Sequence, residues 1–374
     1  MTRAKRNPDV IFISLFSLFI AALGLLIALL PPKSFSEREN RTLSDFPDFS
    51  LNTLVSGEFF SGVSDFYSDQ LPFRESFGHL YSITELALGR REVNGIVICN
   101  GDTLVARPAD TDTDVLQSNL RAIEELCMQN SSAVFFCPPD QSAVFGEYIP
   151  SALQKPQPTD PLYQASNNFL ALASSDPQKY YYRTDHHWTT EGAYAAYSVI
   201  CGELGITPQD KRLFECQTVS DDFYGSAFRR SALPKAMIDP DSIALYRYAG
   251  DGAFSVTDRL TQKTWHGLYS TSALDTSDKY CVFLGGNYAH LSITDKSDSK
   301  REKMLVIKDS FANSLIPFLA LHYDLEVIDP RYAELSHINE LCTSEEFDKT
   351  LILCSQDTLA SEKSISRVLK CFHS

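Results

Sequence analysis

The sequence is short of positive charge. It carries 33 lysine and arginine residues against 48 aspartate and glutamate residues, which gives a net charge of −15 at pH 7. A phosphate backbone is repelled by such a field, so the charge balance argues against nucleic acid as a partner. With 44% hydrophobic and 22% charged residues, the composition excludes a disordered or fibrous chain. Its 374 residues suffice for one large domain or two modest ones.

Several common sequence signals are also absent. There is no internal repeat, no low-complexity tract, and no pair of histidines or cysteines at the H-x-x-x-H or C-x-x-C spacing of metal sites. The nine cysteines are an odd number, which excludes complete internal pairing and a small disulfide-stabilised scaffold. Neither a cofactor nor a metal ion is expected from these patterns.

One long apolar run lies near the N-terminus. Residues 10–30 contain no charged side chain, and as a helix they span about 30 Å, the thickness of the hydrocarbon core of a bilayer. A cleaved signal peptide, the alternative, has a shorter apolar region and ends at small residues, whereas this run ends in Leu-Leu-Pro-Pro. We therefore expect an uncleaved anchor in the lipid bilayer. Because Arg3, Lys5 and Arg6 precede it, residues 1–9 are expected in the cytoplasm and the rest of the chain outside the cell membrane.

Two regions are predicted beyond the anchor. Residues 31–90 are expected to form a polar stalk followed by juxtamembrane helices, with a break at the sequence DQLPFR. The apolar faces of these helices are expected to pack on the main domain, and contact with lipid is the alternative. Residues 91–374 alternate short apolar runs with helical patterns, which predicts an α/β fold with a largely parallel sheet covered on both faces. A polar, turn-rich stretch near 205–280 is expected to be an irregular insertion. The predicted strands are 96–99, 133–137, 281–284, 304–307, 325–328 and 351–354, and the predicted helices are 115–129, 190–204, 311–322, 333–343 and 358–369.

The segment 184–188, with the sequence Thr-Asp-His-His-Trp, is the first candidate for chemistry. Residues i and i+2 of an extended segment point to the same side, so Asp185 can hold one ring nitrogen of His187 and leave the other free as a general base. Aspartate and histidine are also good ligands for zinc or manganese. Adjacent His186 and His187 point in different directions when extended, which disfavours a metal ion shared by both.

The second candidate is the segment 308–311, Lys-Asp-Ser-Phe, between a predicted strand and a predicted helix. A serine on such a turn exposes its hydroxyl above the sheet, and the free N–H groups of the following helix point at the group that the serine attacks. The alternative is that Asp309 or Ser310 only caps the helix. Triads are defined by geometry and role rather than by chain order, so Ser310 can complete a triad with His187 and Asp185.

The segments 184–190 and 308–311 resemble the DHHW protein family, which is similar to the alginate O-acetylation proteins AlgJ and AlgX. The resemblance extends over scattered parts of residues 33–335. It implies an SGNH-hydrolase-like three-layer domain. One departure is Lys308, which stands where the G-D-S pattern of such enzymes has glycine. Further similar stretches are 36–43, 69–74, 138–150, 283–288 and 328–332.

The resemblance implies acyl transfer by a serine enzyme. It assigns Asp185, His187 and Ser310 as a catalytic triad and implies an acetyl–serine intermediate, a polysaccharide acceptor, and a membrane-bound O-acyltransferase as the acetyl donor. A carbohydrate acetylesterase with the same triad and a non-catalytic scaffold of a cell-envelope assembly are the alternatives. The further residues expected near the oxyanion or the substrate are Phe311, Asn287, Arg331, His186, Trp188 and Lys308.

Overall fold

The structure, a computed structural model, describes residues 8–36, 39, 41–99, 102–107, 111–149, 158, 160–297 and 300–372. The basic residues expected on the cytoplasmic side, at positions 3, 5 and 6, lie outside the described residues, as do parts of the stretches 36–43 and 138–150. The chain divides into two compact units. One comprises Met1–Arg90 with Ala232–Pro234, and the other comprises Arg91–Ser231 with Lys235–Ser374.

The first unit begins with an almost entirely apolar helix, α1 (Pro8–Leu29), which has no buried residue. Among the described residues it is the one helix that is long and apolar enough to cross a membrane. Two short strands and three further helices follow, and the DQLPFR sequence separates the last two helices as predicted. These elements are β1 (Phe35–Ser36), β2 (Arg41–Thr42), α2 (Leu51–Ser56), α3 (Glu58–Asp69) and α4 (Arg74–Ala87).

The second unit is built on a seven-stranded sheet with two smaller sheets beside it. Its strands are β3 (Glu92–Val93), β4 (Ile96–Ile98), β5 (Leu104–Ala106), β6 (Ala133–Phe136), β7 (Phe214–Phe223), β8 (Asp241–Tyr248), β9 (Phe254–Asp258), β10 (Thr264–His266), β11 (His290–Asp295), β12 (Lys303–Lys308), β13 (Asp324–Ile328) and β14 (Lys349–Leu353). The large sheet has the order β10-β9-β11-β13-β12-β14-β6. The strands from β13 to β6 pair in parallel, and the other three extend the sheet in antiparallel fashion.

Both faces of this sheet are covered, as the apolar strands predict. Along β12, Met304 and Val306 join one hydrophobic core, whereas Leu305 and Ile307 join a second core on the opposite face, because side chains alternate along a strand. The α/β fold and its three-layer arrangement are thus confirmed. The helices are α5 (Thr113–Gln129), α6 (Gln141–Val144), α7 (Gln164–Ala173), α8 (Pro177–Tyr180), α9 (Thr190–Leu204), α10 (Ser226–Ser231), α11 (Ile316–Leu319), α12 (Leu335–Ser344), α13 (Gln356–Ser361) and α14 (Ser364–Cys371).

The strand predicted at 281–284 is wrong. The chain there forms a 3₁₀ helix, Lys279–Val282. Immediately afterwards Leu284, Gly285 and Gly286 all have positive φ angles, so the backbone turns sharply and cannot continue as a strand. A short apolar run followed by a pair of glycines is therefore a turn in this chain.

Two predicted helices are interrupted. The helix expected at 311–322 is a 3₁₀ helix, Ser310–Ser314, followed by the single turn α11, which has proline in its first turn. Proline lacks the N–H that a continuous helix needs at that point. The helix expected at 358–369 is split into α13 and α14 around residues 362 and 363.

The stretch near 205–280 is only partly an insertion. Strands β7 and β8 form a separate two-stranded sheet, but β9 and β10 belong to the central sheet. In β9, Phe254 and Val256 are buried beside β11. The strand is short and polar at its other positions, which is why its sequence pattern is weak.

Two glycines of α9 test how tightly this helix packs. A Cβ atom at Gly192 would lie 2.1 Å from the carbonyl oxygen of Tyr180, whereas one at Gly202 would meet no atom within 4 Å. We expect Gly192→Ala to lower the free energy of unfolding by about 1–3 kcal/mol through overpacking. Gly202→Ala should raise it by up to about 1 kcal/mol, since alanine favours a helix. Denaturant unfolding of both variants in detergent measures the two free energies of unfolding. Equal values for the two variants would contradict the prediction.

Candidate active site

The candidate nucleophile lies at the carboxyl end of the central strand β12. Parallel strands present their carboxyl ends at one edge of a sheet, and the loops after β12, β13 and β14 therefore meet there. They carry Ser310, Arg331 and Ser355, which line one cavity. The segment between α8 and α9 carries the two histidines, and a backbone bridge between Tyr181 and Trp188 closes it into a tight loop.

Ser310, His187 and Asp185 are in hydrogen-bond contact. Nε2 of His187 lies 2.8 Å from Oγ of Ser310, although 123 residues separate them. Nδ1 of the same ring lies 2.5 Å from Oδ1 of Asp185. With Asp185 ionised, Nδ1 carries the ring proton, and this N–H donates a hydrogen bond to the carboxylate. Nε2 is therefore the acceptor for the serine O–H. The geometry is that of a serine nucleophile with its general base and an orienting carboxylate.

The carboxylate of Asp185 is buried yet remains ionised. Burial alone raises its pKa, but the neighbouring His187 and His186 rings, together with N–H donors, outweigh this and hold the pKa well below its ordinary value. The backbone N–H of Ser226 donates to Oδ2 at 2.6 Å, and the backbone N–H of His187 donates to Oδ1 at 3.0 Å. Gly225 is required for this approach, because a Cβ atom there would lie 2.2 Å from Cβ of Asp185.

Tyr280 packs against one face of the His187 ring. Its ring stacks on the ring of His187, with centroids 3.9 Å apart and an angle of 8° between the planes. Its hydroxyl lies 3.1 Å from Oγ of Ser314, whose hydroxyl accepts the indole N–H of Trp188 at 2.8 Å. The sequence gives no signal for Tyr280 or Ser226, because both reach the site from distant parts of the chain.

Asp309 organises the turn before the nucleophile. Its Oδ1 accepts the N–H of Phe311 at 3.0 Å, and its Oδ2 accepts the N–H of Ser355 at 2.7 Å and the hydroxyl of Thr358 at 2.9 Å. The backbone N–H of Phe311 is therefore engaged with Asp309 and is not free for an oxyanion, although Phe311 itself lines the cavity. The N–H of Ser310, the first residue of the 3₁₀ helix, is left as the backbone candidate.

Lys308 and Asn287 are not among the residues that line the cavity. The ammonium group of Lys308 is buried, 2.8 Å from Oδ1 of Asn313 and 3.4 Å from Oδ2 of Asp329. Burial lowers its pKa, against the opposing effect of Asp329. Oδ1 of Asn287 accepts hydrogen bonds from Lys308 at 3.3 Å and from Asn313 at 3.0 Å. Both residues thus support the loops rather than reach the reacting atoms.

Trp188 is also withdrawn from the cavity. Its ring is fully buried and contacts the ring of Phe311 edge-to-face, with centroids 5.2 Å apart. An indole in this position belongs to the core, so Trp188 is not among the residues that line the cavity.

His186 and Arg331 do line the cavity of about 170 Å³ in front of Ser310. Nδ1 of His186 lies 2.6 Å from Oγ of Ser226, and desolvation together with the adjacent His187 ring lowers the pKa of His186. Arg331 is held by two hydrogen bonds to Asp329, at 2.8 and 2.6 Å. The full lining comprises Ala106, Asp140, Gln141, Ser142, His186, Asp309, Ser310, Phe311, Arg331, Ser355, Asp357 and Thr358.

A metal ion is the alternative occupant of this centre. Within the described part of the chain, Asp185, His186 and His187 are the one group of possible ligands close enough together, with their atoms within 4.8 Å of one another. An ion held by all three would have to replace the contacts of these side chains with each other, with Ser226 and with Ser310. The observed hydrogen bonds favour the serine arrangement over a metal centre.

Comparison with known proteins places the fold in context. The family model described as "DHHW protein" matches residues 39–131 and 168–328. A DHHW family protein from Eubacterium siraeum is 20% identical, with a TM-score of 0.55 and coverage of 75% of this chain and 96% of the other. Bacillus cereus PatB1, solved with a sulfonyl adduct, is 17% identical, with a TM-score of 0.56 and coverage of 72% and 98%. At such identities the likeness shows a shared fold. No curated protein matches the chain.

Acid titration tests the buried carboxylate. Its folded pKa lies below the ordinary value of 3.8, so ionised Asp185 stabilises the fold at higher pH, and this contribution is lost as the pH falls through the folded value. We expect Asp185→Asn to lower the free energy of unfolding by about 3 kcal/mol at pH 7, because it breaks a buried pair. Urea unfolding measures this, and the difference in free energy of unfolding between Asp185→Asn and the parent chain should become smaller towards acid pH.

The matched control is Asp221→Asn, at an exposed position of β7. It should leave the free energy of unfolding within about 0.5 kcal/mol of the parent value. A gap between Asp185→Asn and the parent that stays constant down to strongly acid pH would contradict the proposed burial of an ionised carboxylate.

Proposed function

This chain belongs to the DHHW protein family, and on that premise we propose that it is a membrane-anchored, extracytoplasmic O-acetyltransferase acting on a cell-envelope or secreted polysaccharide. One observation carries the proposal: the continuous hydrogen-bond chain from Asp185 through His187 to Ser310, with steps of 2.5 and 2.8 Å. A serine that merely caps a helix needs no imidazole at its hydroxyl and no buried anion behind the imidazole.

The first half-reaction loads the enzyme. Nε2 of His187 takes the proton of Ser310 as Oγ attacks the acetyl carbonyl carbon, and the N–H of Ser310 donates to the developing oxyanion. Collapse of the tetrahedral intermediate breaks the bond between the carbonyl carbon and the donor. The leaving atom takes the proton from His187, and the acetyl group remains as an ester on Ser310.

The second half-reaction delivers the acetyl group. A sugar hydroxyl loses its proton to Nε2 of His187 and attacks the ester carbonyl, and the returning proton restores the hydroxyl of Ser310. Throughout, Asp185 stays ionised and stabilises the imidazolium that forms twice in the cycle. Water in place of the sugar would give the acetylesterase alternative by the same steps.

The N-terminal helix supports the location that we propose. Helix α1 has no charged residue after Asp9 and no buried residue, which suits a lipid environment. An anchored enzyme meets a membrane-bound acetyl donor by diffusion in two dimensions. We therefore propose a membrane-bound O-acyltransferase as donor, with the N-terminus in the cytoplasm.

Charges around the cavity favour a neutral acceptor. Asp140, Asp309 and Asp357 line it against the single cation of Arg331, which is itself paired with Asp329. The chain as a whole carries a net charge of −15. A polyuronate would be repelled by both fields, so we propose a polysaccharide that is uncharged near the acetylated hydroxyl.

Sulfonyl labelling tests the nucleophile. Sulfonyl fluorides modify activated serines, and PatB1, which shares this fold, has been solved with a sulfonyl adduct. We expect the full chain in detergent to gain one sulfonyl group by mass spectrometry, and Ser310→Ala to gain none. Ser142→Ala removes another serine of the same cavity and should be labelled like the parent chain. Labelling that persists in Ser310→Ala would show that the nucleophile is wrongly assigned.

Product analysis separates the candidate functions. With an activated acetyl ester as donor, we expect ester groups on a neutral polysaccharide and little on a polyuronate, and Ser310→Ala should lower the rate by about 10³-fold or more. Release of free acetate alone, with every acceptor tried, would identify an acetylesterase. No Ser310-dependent turnover of the donor would favour the scaffold.

A further inference from the structure

Helix α4 carries an apolar stripe that no other described part of the first unit covers. Phe73, at its N-terminus, and Leu80 expose 65% and 62% of their surface, and the stripe continues through Phe77 and Tyr81 to Leu88, just past its end. Positions 73, 77, 80, 81 and 88 follow the spacing of one helical face. An exposed apolar face of this length needs a partner.

The stripe begins where helix α1 ends. Gln70, at the start of the turn into α4, exchanges two hydrogen bonds of 2.9 Å with the backbone N–H and carbonyl of Lys33. Lys33 lies only four residues beyond Leu29, the last residue of α1. Asp69 is held in turn by Arg41 at 2.9 and 2.5 Å, and this pairing keeps the pKa of Asp69 far below its ordinary value. The turn is therefore fixed at the exit point of the spanning helix.

A crevice of about 940 Å³ separates α1 from this turn. Leu26 and Leu30 line it from the side of α1, and Leu71 and Phe73 line it from the side of the turn. Leu26 lies about one helical turn, roughly 5 Å, inside the end of α1. If α1 crosses the bilayer, the ring of Phe73 lies at the depth where acyl chains meet headgroups.

Phe73 has a backbone conformation that is costly for its residue type. Its φ of 61° lies in the left-handed region, which disfavours bulky side chains, and yet its ring faces outwards. Strain of this kind concentrates at binding surfaces. Here the strained residue is also the first member of the stripe.

We propose that the stripe from Phe73 to Leu88 docks on the lipid surface of the membrane in which α1 is anchored, with Phe73 and Leu71 at the acyl boundary. This proposal rests on the anchoring part of the proposed function. Lipid is favoured over a second protein because the hydrogen bonds between Gln70 and Lys33 place the stripe beside the anchor's own exit. An interfacial helix of this type buries its apolar face about 5–10 Å into the boundary region.

Tryptophan quenching by brominated lipid tests the proposal. The full chain is reconstituted in phosphatidylcholine vesicles with and without bromine near the carbonyl end of the acyl chains, as the parent and as Phe77→Trp, Leu80→Trp and Asp221→Trp. For the two stripe variants we expect roughly a twofold loss of the added emission in brominated vesicles, given the shallow insertion of such helices. The control Asp221→Trp, at an exposed position of β7 in the second unit, should lose none. Thermal unfolding of each variant, compared with the parent, checks that it is folded.

Two other fluorescence results would contradict lipid docking. Blue-shifted emission at positions 77 and 80 without quenching would show that protein covers the stripe, and unshifted, unquenched emission would show that water does. Either result overturns lipid docking. An alkaline carbonate wash separates the premise from the inference. Release of the chain from vesicles refutes anchoring and docking together, whereas retention without quenching refutes docking alone.

Discussion

An ionised aspartate held inside the protein by N–H donors is the constraint on which the candidate site depends. Burying a carboxylate costs several kcal/mol unless hydrogen bonds compensate for the lost water. Asp185 receives one such bond from the ring of His187 and two from backbone N–H groups, those of His187 and Ser226. The first fixes the imidazole tautomer that leaves Nε2 facing Ser310. The hydrogen bond from Ser226 comes from the start of α10, so this polar region also helps to fix the orientation of the His187 ring through Asp185.

Buried carboxylates with hydrogen-bond or ion-pair partners are also found at the carboxyl edge of the sheet. Asp309, after β12, accepts hydrogen bonds from the turn that bears Ser310 and from the loop after β14. Asp329, after β13, is fully buried and pairs with Lys308 and Arg331. Each buried carboxylate joins neighbouring loops and so fixes the distance between side chains that those loops carry. Asp309 lines the cavity of about 170 Å³ directly, and Asp329 acts on it through its partner Arg331.

The parts of the candidate site that depend on neighbouring residues could be predicted from the sequence. Asp185 and His187 are two residues apart, and Ser310 follows an apolar strand, so a short pattern identifies each. The parallel half of the sheet is equally visible, because its strands are buried on both faces and read as apolar runs. The antiparallel half is not, since β11 mixes His290 and Asp295 with apolar residues. Tyr280, and the engagement of the Phe311 N–H, depend on contacts between distant segments that no local pattern records.

An odd number of cysteines is compatible with the proposed location outside the cell. All nine are unpaired, and only Cys216 is exposed. Cys137 and Cys354 follow neighbouring parallel strands, and burial raises the pKa of both thiols well above the ordinary value. The thiolate is the form that reacts with oxidants and disulfides, so burial protects a thiol even in an oxidising compartment. Most cysteines in this chain therefore serve as small apolar residues of the two cores, and an even count is not required for the fold.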